Sequence, residues 1–269
     1  MNLALRGGRG AFLLEKWYAD VLSGDGSVLL VYLGWMRVLG VPVARFSAEL
    51  FRPGGASVRG DAPVRSIEGG ESRLEFGPAR IDGESLVWST PGLSGALRFA
   101  ARHPTVTLRE PFLEQGGQRV LWTVEVPDAD VEGELRWPGG GERFVGRGYR
   151  DRVFCDVPPW RFPVRELRWG RAVSASHAAA WVCARTAQGE VAASWRDGRV
   201  VADAAEPVAL EAERTLVDTR VADIEGLRFG LLRPILRRLT GDPHEAKWAA
   251  AARLGAESGR AIHEHVLWR

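Results

Sequence analysis

The chain is poor in several residue types on which functional signatures often rest. Of its 36 basic residues only Lys16 and Lys247 are lysine, Asn2 is its single asparagine, and 269 residues include two cysteines, two methionines and three tyrosines. Two cysteines do not make a disulfide framework in a chain long enough for a full-sized core, so Cys155 and Cys183 read as reduced and buried. Without a C-x-x-C or H-x-x-x-H pair there is no support for a zinc site, and no metal is expected. A net charge of +2 argues against a nucleic-acid binder working through a dense basic surface. The phosphate-cradling loop, the dinucleotide fingerprint and the G-x-S-x-G elbow are all missing, so kinase, oxidoreductase and serine-hydrolase readings lose their usual support. The most apolar stretch, Val28 to Ala44, is interrupted by Arg37 and Pro42 and falls short of the roughly 20 residues of a membrane span. It reads as core strands, with weak association with a membrane surface as the lesser alternative. Met1 to Gly10 lacks the apolar segment of a signal peptide, which gives a cytoplasmic expectation. Nothing in the sequence specifies an oligomeric state.

What is present is 45% hydrophobic residue and a repeated strand-turn pattern. Val120, Trp122, Val124 and Val126 alternate with Leu121, Thr123 and Glu125, the period of a half-buried strand. Similar runs occur at Phe46 to Phe51, Leu74 to Phe76, Leu86 to Trp88, Val173 to Val182, Val191 to Trp195, Arg214 to Val221 and Ala261 to Trp268. Asp25-Gly26, Asp82-Gly83 and Asp197-Gly198 sit between apolar runs and predict tight hairpins, because glycine adopts positive φ without steric cost. Regular strands joined by turns predict a mainly β protein of sandwich or barrel type. Two exceptions break the pattern. Leu231, Leu232, Ile235, Leu236 and Leu239 recur at helical spacing, and Asp242-Pro243-His244-Glu245 has the form of a helix start, so a helical insertion is expected at about 229–254. The glycine cluster Pro138-Gly139-Gly140-Gly141 is taken as a domain boundary, giving an N-terminal β domain over 1–141 and a C-terminal β domain over 142–269.

The segment Gly146-Arg147-Gly148-Tyr149-Arg150-Asp151-Arg152, continuing through Cys155 and Trp160 to Trp169, concentrates turn residues, aromatics and charges. On a strand, Tyr149 and Asp151 project to one face and Arg150 and Arg152 to the other. A carboxyl beside a phenol among tryptophans can be kept protonated by desolvation and donate its proton. The competing reading pairs Asp151 with one of the many arginines and uses Tyr149 as core filling. Arginines on either side of Asp151 favour its ionised form. Eleven tryptophans, among them Trp17, Trp35, Trp88, Trp122, Trp160, Trp169, Trp181 and Trp195, either fill the core or line an apolar cavity. His177 reads as a core residue of a strand, His103 as a loop residue, and His263 and His265 as an exposed strand end.

This segment resembles the Gly-Tyr-His-Asp-His signature of the carotenoid 1,2-hydratase (hydroxyneurosporene synthase) family, whose relatives include lipocalin-like Diels–Alderases of polyketide biosynthesis. Glu15-Lys16-Trp17-Tyr18 followed by Asp25-Gly26 is similar to the Glu-x-Trp-Tyr opening strand of that superfamily, and Gly259 to Val266, with Glu264, is similar to its closing strand. The resemblance implies two lipocalin-like antiparallel barrels or sandwiches, no cofactor, and a hydrophobic small molecule as substrate. It places the proton donor at Asp151 with Tyr149 beside it, and substrate contacts at Trp17, Tyr18, Trp122, Arg150, Arg152, Trp160, Trp169 and Glu264. Both signature histidines are replaced, by Arg150 and Arg152, and a guanidinium is a poor acid or base. Three functions are therefore expected in order: a cofactor-independent cyclase or isomerase of a polyene or polyketide-type substrate, a hydratase of a carbon-carbon double bond, and a non-catalytic lipid or pigment binder.

Overall fold

The computed structural model describes residues 3, 5, 10–202, 208–220 and 242–268. It is nearly all β, with antiparallel curled sheets of lipocalin-like form. The three predicted Asp-Gly turns all form, with φ of 93° at Gly26, 54° at Gly83 and 87° at Gly198. Among the described residues no helix is long and apolar enough to cross a membrane.

Two compact units divide the chain, one of 1–107 with 122–156 and the other of 108–121 with 157–269. Strands β1 (Phe12–Ser23), β2 (Val28–Val38), β3 (Val41–Phe51), β4 (Val58–Pro63), β5 (Ile67–Gly69), β6 (Arg73–Phe76), β7 (Ala79–Asp82), β8 (Ser85–Trp88), β9 (Ser94–Ala101), β10 (Val106–Gln115), β11 (Gln118–Trp137) and β12 (Gly140–Cys155) build the first sheet. Its order is β4-β3-β2-β1-β12-β11-β9-β8-β7-β6-β5, with β10 paired to β11. The sheet curls on itself, since Phe46 and Leu50 of β3 share one buried core with Phe76, Trp88 and Phe99 from the far end of the path. Trp17 meets Phe76 edge-on at 6.1 Å, and Phe46 lies 6.2 Å from Trp88. Gly148 of β12 faces this core, where a Cβ would stand 2.3 Å from Val131, so that position admits no side chain.

The second sheet holds β13 (Val164–Val173), β14 (Ala178–Thr186), β15 (Gly189–Arg196), β16 (Arg199–Ala202), β17 (Ala209–Arg220), β18 (His244–Leu254) and β19 (Glu257–Leu267), in the order β16-β15-β14-β13-β19-β18-β17. Its core is alanine-rich around Trp181, which packs where Gly170 carries no side chain.

Several expectations need correction. The segment after Pro243 is strand β18, not helix, hydrogen-bonded on both sides to β17 and β19. Intrinsic helix preference of alanine is worth tenths of a kcal/mol per residue, and two ladders outweigh it. The expected helix at 231–239 lies outside the described residues. Gly139 lies in the turn between β11 and β12, and Gly140 and Gly141 open β12. The run Val173 to Val182 is interrupted by a turn at 174–177, so His177 is a turn residue bonded through Nδ1 to Asp197 at 2.8 Å. Cys155 and Cys183 are both buried, and neither is in a disulfide; Cys183 Sγ accepts a hydrogen bond from Arg168 Nη2 at 3.4 Å.

Candidate active site

The register between β1 and β12 decides which side chains meet. Tyr18 lies opposite Asp151 and Asp20 opposite Tyr149, while Trp17 lies opposite Arg152 and Ala19 opposite Arg150. Directly opposed residues of an antiparallel pair share a face. One face therefore gathers Tyr18, Asp20, Tyr149 and Asp151, and β2 adds Tyr32, opposite Tyr18. All three tyrosines of the chain stand together here. The ring of Tyr18 is 5.0 Å from that of Tyr32 and 6.3 Å from that of Tyr149.

Asp151 is 2% exposed. Its Oδ2 accepts hydrogen bonds from Tyr149 Oη and from Trp122 Nε1, each at 3.0 Å. Its Oδ1 is buried and has no hydrogen-bond partner among the described residues. Burial pushes the carboxyl up to about 7; the charge of Lys16 and the two donated hydrogen bonds oppose that rise, and Asp20 adds to it. With Oδ2 accepting from two donors, a proton taken up by this carboxyl would sit on Oδ1.

The opposite face of the same strands belongs to the first core, and there the charges are paired. Arg152 Nη2 is 2.5 Å from Glu15 Oε2 and its guanidinium covers the Trp17 ring at 4.8 Å. Arg150 lies 3.8 Å from Glu125, donates to the Gly83 carbonyl at 3.1 Å and stands 5.5 Å from the Phe99 ring. Burial raises the Glu125 carboxyl, and the Arg150 and Arg152 charges counter it. The expectation that these arginines hold Asp151 ionised is thus corrected: they point away from it and are occupied by Glu15 and Glu125.

The structure brings together Tyr18, Trp122, Tyr149 and Asp151 of the predicted set. Trp17, Arg150 and Arg152 lie across the sheet, on the core side. Trp160 sits on a short turn, Pro159–Arg161, of the second unit and is 39% exposed. Trp169 and Glu264 form a second grouping in the second unit, in register on β13 and β19, with Lys247 of β18 next in the row. Lys247 Nζ is 2.7 Å from Glu264 Oε2 and 5.6 Å from the Trp169 ring. His263, expected exposed, stacks on Trp248 at 4.9 Å, and His265 bonds Glu166 at 2.9 Å. Of the tryptophans, Trp17, Trp88 and Trp181 are core members, whereas Trp122 touches the acid. Sequence reasoning missed Lys16, Asp20, Tyr32 and Lys247. The rarity of lysine and of tyrosine was the signal available for three of them.

No protein-family model matches the chain, and no curated sequence is similar to it. Solved structures do match. The chain is similar over its whole length to CghA solved with Sch210972, covering 95% of that chain with a TM-score of 0.68 at 12% identity. It is similar to an AttH protein from Nitrosomonas europaea (98% of this chain, 95% of that one, TM-score 0.63, 14% identity). It is also similar to kievitone hydratase from Nectria haematococca (96% and 89%, TM-score 0.56, 10% identity). At such identities the likeness establishes the lipocalin-like fold.

Proposed function

We propose that the chain is a cofactor-independent enzyme that binds a hydrophobic unsaturated molecule against an aromatic face and promotes its cyclisation or isomerisation by acid catalysis. The observation that carries this reading is Asp151: a fully buried carboxyl, raised to about 7, with both donors on Oδ2 and Oδ1 unengaged. A protonated Oδ1 aimed at a substrate carbonyl lowers the barrier to ring closure or double-bond migration and recovers its proton when the product leaves. Tyr149 and Trp122 fix the carboxyl plane, and the face built by Tyr18 and Tyr32 selects the reactive conformer.

A second reading has its own support. The acid can protonate a carbon-carbon double bond, with water then adding to the cation and returning a proton to Asp151, so that one water is gained. The pairing of Arg150 and Arg152 with glutamates removes the objection that they keep Asp151 ionised, and the kievitone hydratase likeness is in keeping with this chemistry.

Mass spectrometry of extracts from the source organism carrying wild type or Asp151→Asn tests both. Accumulation of a precursor isobaric with the lost product marks a cyclase or isomerase, and a precursor lighter by one water marks a hydratase. A general acid contributes about 10²–10⁴-fold, so the lost product should nearly vanish. An unchanged metabolite profile sinks the enzyme reading and leaves a carrier.

A further inference from the structure

The two lysines of this arginine-dominated chain stand in opposite circumstances. Lys247 is 1% exposed and is neutralised by Glu264 at 2.7 Å, with Glu245 at 3.7 Å. Lys16 is half-buried, its ammonium held 6.0 Å from the Tyr18 ring centroid and 5.8 Å from that of Tyr32. Among the described residues neither a carboxylate nor a hydrogen-bond acceptor is bonded to it. Its strand neighbour across β2 is Gly34, where an added Cβ would have, among the described residues, no neighbour closer than the Arg45 carbonyl at 4.0 Å. Arg45 itself is occupied by Asp61. Further along the same face lies Asp151, with its buried, unengaged Oδ1. An ammonium with no carboxylate bonded to it among the described residues, two aromatic rings and an unengaged acid thus share one face.

We infer that the ligand of this face is a monoanionic amphiphile, an unsaturated chain ending in a carboxylate that Lys16 Nζ receives. The inference rests on Asp151 as the reacting end of the site. A partly desolvated ammonium gains most from a charged acceptor, because a charge-assisted hydrogen bond is stronger than a neutral one. One unpaired cation suits one negative charge; a phosphate dianion would call for a second. The tyrosine rings beneath the ammonium supply the surface along which the chain lies, in keeping with their preference for flat unsaturated carbon.

The test uses the whole protein with cis-parinaric acid, a conjugated polyene fatty acid, and its methyl ester, read by energy transfer from tryptophan at pH 6, where the Asp151 carboxyl, raised to about 7, keeps its proton. The acid should bind about tenfold more tightly than the ester. Lys16→Met should abolish that preference, Lys16→Arg should keep it, and Gly34→Val, which sets a side chain directly opposite Lys16, should weaken the acid. Equal binding of acid and ester by wild type overturns the inference without any variant having to fold. A preference that survives Lys16→Met, or binding of neither probe, overturns it as well. None of these failures touches the Asp151→Asn metabolite comparison, which stands or falls on its own.

Discussion

The two faces of strand β12 carry the same kinds of charge and treat them oppositely. On the core face Arg150 and Arg152 are buried against carboxylates, Glu125 and Glu15. On the other face Asp151 is buried against a phenol and an indole, and its carboxyl rises to about 7. Four consecutive residues, Tyr149 to Arg152, therefore serve two environments separated by the thickness of a backbone. Adjacency in sequence says little about electrostatic contact on a strand: residues i and i+1 point apart, and the neighbours that matter are those opposite on β1.

The largest effect should come from breaking the paired face. Glu15→Gln leaves the Arg152 guanidinium buried without its counter-charge, and we expect a loss of roughly 3–5 kcal/mol in urea unfolding. Replacing both partners, Glu15→Leu with Arg152→Met, should recover most of that loss; failure to recover would mean that the pair does more than neutralise itself.

Next in size is the pH dependence created by the unpaired face. An aspartate in the unfolded chain titrates near 4, and Asp151 in the folded protein near 7. Between these values the folded state holds a proton that the unfolded state has lost. The stability tied to this proton is therefore complete below about pH 4 and is lost as pH rises to about 7, by roughly 4 kcal/mol. Asp151→Asn lacks the titration, so its stability relative to wild type should climb through that window and stay level beyond it. Parallel curves would mean that Asp151 is ionised like any surface carboxylate, and the contrast between the faces would collapse.

The smallest effect sharpens the same contrast. Tyr149→Phe removes one of the two donors that favour the carboxylate, so the Asp151 titration should move upward by less than about one pH unit, on the scale of a single net hydrogen bond. The infrared carbonyl band of the protonated acid, followed against pH, reads this directly. A downward move would mean that Tyr149 stabilises the neutral form.

Much of this was legible in the chain. Alternation at 120–126 and the Asp-Gly turns specify strands and hairpins through local geometry, and the placement of Tyr149 with Asp151 follows from period two. The pairing of Arg152 with Glu15, 137 residues apart in sequence, is a property of register and could not be read locally. Strand β18 was misread for a physical reason. The neighbours Ala249 and Ala250 point to opposite faces and are both buried, so no inside-outside alternation shows there, and alanine carries helix preference wherever it stands. Glycines serve linkers and tight turns alike, and Gly139 takes φ of 80° between the two long strands β11 and β12.

The scarcity of lysine also makes the molecule chemically addressable. An amine-selective reagent has, apart from the chain's α-amino group, two side-chain targets, and Lys247 is 1% exposed. Side-chain acylation or reductive methylation would therefore fall on Lys16, opposite Gly34. A dye, a cross-linker or an isotopic label can thus be set there in the native protein, by reagent choice alone.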